Sequence, residues 1–205
     1  MRRFEYFNKY SLLVSVVMVS LLTACNDDDA GIIVDPPGLR LAKVTLNFTN
    51  DSDPNDVVQA VAEDPDGTGA EELIVISSIN LTRNTTYTLT YEIENGLESL
   101  QDDVVGLILE ENDENQLFYS FTDGAFVNPT GDGNIDTASD PINYLDFDRN
   151  NNPLGLETSW ATGSTPVLGG EFTVRLQHQP GEKTATTGAD IGETDFDLTF
   201  VLNIQ

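Results

Sequence analysis

The chain is 205 residues long and carries 35 Asp and Glu against nine Lys and Arg, a formal net charge of −26, with a single cysteine and a single histidine. A field of that sign repels nucleic acid, whose binding rests on Lys and Arg neutralising phosphates, so nucleic acid is excluded as a partner. One cysteine permits no internal disulfide, and one histidine leaves a Ser–His or Cys–His nucleophile pair a single place to form.

Residues 1–24 have the three-part layout of an export signal. Arg2, Arg3 and Lys9 precede an apolar run from Leu12 to Leu22, which closes on the small residues Thr23 and Ala24. The run is shorter than the roughly 20 apolar residues a bilayer core requires. Leu22-Thr23-Ala24-Cys25 resembles the lipobox of bacterial lipoproteins, which implies cleavage before Cys25 and acylation of its thiol. Asn26-Asp27-Asp28-Asp29 is similar to the acidic tag of Bacteroidota lipoproteins that face the medium, and this resemblance implies an outer-membrane, lipid-anchored, surface-exposed protein, with periplasmic retention as the alternative. Residues 25–38, closing on Asp35-Pro36-Pro37-Gly38, read as an acidic tether. Loss of Arg2, Arg3, Lys9 and Glu5 with the signal leaves six Lys and Arg against 34 Asp and Glu, a formal charge of −28.

Residues 39–205 are roughly the length of one domain. Their dominant pattern is the period-two alternation of half-buried strands. It is clean at Ala42–Phe48, Tyr87–Ile93, Phe172–Leu176 and Phe196–Ile204, and weaker at Val57–Ala62, Leu73–Ile79, Leu117–Phe121, Asn143–Phe147 and Leu156–Ala161. Turns rich in Asp, Asn, Gly and Pro separate them. Asp102–Glu111 reads as a short helix capped by Asp102 or Asp103, although its β-branched residues and Gly106 also permit a strand. About nine strands and one short helix predict an all-β, antiparallel β-sandwich, Ig-like or jelly-roll-like, with a small β-barrel as the alternative. The segments VTLNFTNDSDPNDVV, INLTRNTTYTLTYEIEN and TDFDLTFVLNI resemble small flavobacterial lipoproteins, a family that implies location and fold and brings no site residues.

Calcium is the ligand the side chains favour. Asp146, Asp148, Asn150 and Glu157 stand at positions 1, 3, 5 and 12 of a twelve-residue loop, with Asn152 between them, which is the spacing by which an EF-hand surrounds a hard cation with oxygens. Asn151 replaces the glycine of position 6, Pro153 interrupts position 8, and flanking helices are missing, so a polar hairpin turn is the competing reading. Asp64 and Asp66, in the loop to Glu72, and Asp132 and Asp136, continuing to Asp140, space carboxylates at alternate residues in the same manner. Asp136-Thr137-Ala138 resembles a bacterial O-glycosylation acceptor. His178, in phase with Phe172, Val174 and Leu176, reads as a strand-end residue with a hydrogen-bonding or packing role, metal ligation being the alternative. Trp160 reads as a core anchor or as a sugar platform.

The expected activity is non-enzymatic. One sandwich held to a membrane by its N-terminal lipid would present loops to a cation, a glycan or an outer-membrane receptor such as a transporter. The alternative is a carbohydrate-binding lipoprotein of a polysaccharide uptake system, which would need paired surface aromatics. A two-carboxylate hydrolase would need a cleft.

Overall fold

The structure, a computed structural model, describes residues 40–67, 72–96 and 104–205. The export signal, Cys25, the tether and the capping pair Asp102 and Asp103 lie outside the described residues. Among the described residues no helix is long and apolar enough to cross a membrane.

The strands are β1 (Leu41–Asn50), β2 (Asp53–Glu63), β3 (Ile74–Val75), β4 (Ile79–Leu81), β5 (Thr86–Asn95), β6 (Asn115–Phe121), β7 (Phe126–Asn128), β8 (Thr158–Thr162), β9 (Val167–His178) and β10 (Glu193–Ile204). The helix α1 spans Val104–Glu110, between β5 and β6. One sheet has the order β3-β2-β1-β5-β8-β7 and the other β4-β10-β9-β6. The predicted all-β sandwich is therefore the fold observed.

Alternation builds the core. Val44, Leu46 and Phe48 of β1 and Tyr87, Leu89, Tyr91 and Ile93 of β5 turn one face inward. Phe172, Val174 and Leu176 of β9 and Phe196 to Ile204 of β10 supply the facing layer. Contacts between the sheets are aromatic. Phe48 meets Phe172 edge-on at 5.6 Å, and Trp160 of β8 lies 5.2 Å from Tyr119 and 5.0 Å from Phe172 across the sheets, and 4.9 Å from Phe126 of the neighbouring strand β7. Trp160 is fully buried, its Nε1–H donating to Thr158 Oγ1 at 2.8 Å, so its ring is a core anchor. Such a side chain, truncated to alanine, costs about 3–5 kcal/mol.

The seven-residue helix is too short to persist alone. Val104 and Ile108, one turn apart, are buried against the core and hold it.

Two expected strands differ from the structure, and one strand was not expected. The run Leu73–Ile79 is broken at Ser77, whose Oγ accepts the Val61 N–H at 2.6 Å. The chain then leaves one sheet for the other, since Ile74 and Val75 pair with β2 while Ile79–Leu81 pair with β10. That second pairing is parallel, an exception to the antiparallel rule of the fold. Asn143–Phe147 forms no strand, only bridges at Tyr144 and Phe147, because local carboxylates and turns take up neighbouring backbone N–H groups. Strand β7, too short for an alternation to show, was not expected from the sequence.

Candidate cation sites

The loop 146–157 is organised by its own donors. Asp146 accepts the N–H groups of Gly155 and Leu156, one on each carboxylate oxygen, both at 2.9 Å. Asp148 Oδ1 accepts from the N–H groups of Asn150 at 2.8 Å and Asn152 at 2.7 Å. Its Oδ2 accepts from Asn152 Nδ2 at 3.1 Å and lies 3.2 Å from the ammonium of Lys183. Both side chains of that ion pair are buried, and Lys183 donates a further bond to the Asn112 carbonyl at 2.7 Å. Asn151 adopts the left-handed conformation expected of the position-6 substitute, with φ of 64°.

Electrostatics follow from these partners. Burial raises the Asp146 carboxyl despite its backbone hydrogen bonds. For Asp148 burial acts upward too, but the Asn152 donors and Lys183 together hold the carboxyl below its ordinary value. Burial pushes the Lys183 ammonium down, against the opposing pull of Asp148. Asn150 and Glu157 are exposed. The EF-hand spacing thus places Asp146, Asp148, Asn150, Asn152 and Glu157 in one loop without turning them to one centre, and the cation against Asp148 is an ammonium from the chain itself.

Asp64 is buried and its Oδ1 accepts the Asp66 N–H at 3.2 Å, an Asx turn, while Thr68–Glu71 of that loop lie outside the described residues.

Residues 132–140, earlier in the same connection between β7 and β8, behave differently. Asp132, Asp136 and Asp140 each bring a carboxylate oxygen within 4.8 Å of the others. Their backbone is clamped to β6: Phe121 N–H donates to the Asp132 carbonyl at 2.8 Å, Asn134 N–H donates to the Tyr119 carbonyl at 2.7 Å, and Tyr119 N–H donates to Asn134 Oδ1 at 3.0 Å. Gly133 is required for this approach. Its φ is +106°, and a Cβ there would stand 2.1 Å from the Tyr119 carbonyl oxygen. Asn134 Nδ2 donates to the Tyr144 hydroxyl at 2.9 Å, which in turn donates to the Leu117 carbonyl at 2.8 Å. Burial pushes the Tyr144 phenol up to about 12, so it stays a neutral donor. Among the described residues none of the three aspartates is in an ion pair.

In a second convergent group, Glu111, Glu114 and His178, carboxylate oxygens and an imidazole nitrogen lie within 4.8 Å of one another. Composition had pointed to no carboxylate pair, and the turn 111–114 carries no motif. Only the strand register, Asn115 opposite His178, brings them together.

Comparison of the chain with protein-family models, curated proteins and solved structures finds no match.

Proposed function

We propose that this chain is a non-enzymatic binding or structural lipoprotein. Acylated at Cys25 and exported, it holds one β-sandwich outside the cytoplasm and takes up a hard divalent cation, calcium first, at Asp132, Asp136 and Asp140. The observation that carries the anchor is the only cysteine, standing directly after the apolar run and Thr23-Ala24 and a short tether ahead of β1. The convergence of three unpaired aspartates supports the cation, since carboxylate oxygens suit calcium. The loops that carry them are where a rigid scaffold displays a binding surface, and an outer-membrane partner would be met there.

Sugar stacking has less support. Trp160, Tyr87, Tyr91 and Tyr119 are buried, and Phe147 is the one exposed aromatic side chain among the described residues.

Metabolic labelling with an alkyne fatty acid tests the anchor: the wild-type chain takes up label, and Cys25→Ala does not. A Cys25→Ala chain that is still labelled sinks the lipoprotein reading. Calorimetric titration of CaCl2 into the detergent-solubilised chain tests the ligand. A micromolar to millimolar event is expected, abolished by Asp132→Asn with Asp136→Asn. No heat in the wild type removes calcium from the reading.

A further inference from the structure

We propose that Glu111, Glu114 and His178 form a second metal site selective for a divalent transition ion of the zinc class. The donor chemistry differs from that of the aspartate loop. An imidazole nitrogen suits zinc, copper, nickel or iron, whereas calcium and magnesium take oxygen alone. The only histidine in the sequence is the residue placed here.

The geometry is close to a ligand set. His178 Nε2 lies 3.3 Å from Glu114 Oε2. Tetrahedral zinc ligands at about 2.0–2.1 Å from the ion stand about 3.3 Å from each other. Glu111 brings a carboxylate oxygen within 4.8 Å of the other two. The backbone beneath is fixed. Glu111 N–H donates to Leu107, Glu114 N–H to the Glu111 carbonyl at 2.9 Å, and Gln179 N–H to the Glu114 carbonyl at 2.6 Å. Asn115 Nδ2 donates to the Glu111 carbonyl at 3.0 Å.

A plain His–Glu contact would need one carboxylate, and two converge on this imidazole. The register shift between Thr194 and Phe196 makes Asp195 a bulge residue of β10, next to the Glu193–His178 pairing. Its carboxylate is raised by burial and by Glu193, with His178 pulling the other way. Among the described residues no Lys or Arg nitrogen lies within 4.0 Å of Glu111 or Glu114, whose one ion-pair contact is Glu114 with His178 itself. Like charges gathered on a fixed backbone without a counter-cation are the arrangement that a bound divalent ion neutralises. An ion held there would join the turn between α1 and β6 to the end of β9.

The test is equilibrium dialysis of the full exported chain in mild detergent against micromolar Zn2+ with millimolar Ca2+ and Mg2+ present, with Co2+ absorption as a readout of coordination. One Zn2+ per chain is expected, weakened at least about tenfold by His178→Ala and by the exposed-site variant Glu111→Gln, and unaffected by Asp132→Asn with Asp136→Asn. The visible Co2+ bands should be lost in His178→Ala while its metal-free melting stays cooperative. If His178→Ala fails to fold, Glu111→Gln decides alone. Absence of Zn2+ binding in the wild type, or binding that survives Glu111→Gln unchanged, overturns the proposal.

Discussion

The loop 146–157 and the group Glu111–Glu114–His178 are close in composition and opposite in construction. Asp148 has its cation built in: Lys183 reaches it from the segment after β9, and both side chains are buried. Glu111 and Glu114 converge on an imidazole with, among the described residues, no lysine or arginine in ion-pair range. What separates a carboxylate that holds a fold together from one that can take a ligand is therefore the inventory of donors around it. Where backbone N–H groups and an ammonium have filled every oxygen, a metal must displace them and leave them buried without partners, a cost of about 1–3 kcal/mol for each group.

This contrast can be broken most sharply at Lys183. Replacing it by methionine keeps the aliphatic bulk but leaves the Asp148 carboxylate buried without its counter-charge and the Asn112 carbonyl without its donor. Loss of one partner of a buried pair costs about 3–5 kcal/mol. Urea unfolding of Lys183→Met should show a loss of that order, and a change below about 1 kcal/mol would mean that the pair is no clasp.

Acidification separates the two aspartates of the loop. Asp148 is held below its unfolded value, so the unfolded chain binds its proton first; its stabilisation is complete above the ordinary Asp range near 3.9 and disappears as pH falls through the lower folded value. Asp146 is raised, so the folded chain binds its proton first; that difference favours the fold at low pH and is lost as pH climbs through the raised value. Between pH 7 and pH 3 the stability gap between wild type and Asp148→Asn should narrow, while that between wild type and Asp146→Asn should move the other way. Parallel movement of the two gaps would contradict the assignment.

The smallest effect is expected at Glu111. In chelator-treated protein Glu111→Gln should change stability by no more than about 0.5 kcal/mol, because an exposed carboxylate with no ion-pair partner holds nothing together. A large loss in thermal unfolding would make this group a structural ion pair like that of Lys183.

Much of the fold was legible in the chain. The alternations at Ala42–Phe48, Tyr87–Ile93, Phe172–Leu176 and Phe196–Ile204 lie inside β1, β5, β9 and β10, since each carries a full inward face that only one strand orientation buries. Asp102–Glu111 contains α1, where Val104 and Ile108 share the helical face. Leu73–Ile79 misled because alternation says which face a residue takes and nothing about which sheet it joins; the hydroxyl of Ser77 on Val61 marks the place where the chain changes sheets. Asn143–Phe147 misled because the carboxylates of Asp146 and Asp148 organise the following segment into turns.

The candidate sites divide in the same way. The spacing of Asp132, Asp136 and Asp140 was readable because one loop carries all three, although the glycine contact that presses the loop against β6 was not. The twelve-residue pattern from Asp146 was readable and pointed to calcium, yet nothing in it announces that Lys183 would arrive to fill the place of a cation.

By itself the sequence determined the strand-forming segments, the charge, the unpaired cysteine and the oxygen-rich loops, because alternation, composition and turn chemistry act within a few residues. Tertiary structure alone decided which carboxylates acquire a lysine and which stand around His178. Those partners lie 35 and 64 residues apart for Asp148–Lys183 and Glu114–His178, and only strand register and loop packing bring such groups within hydrogen-bond reach.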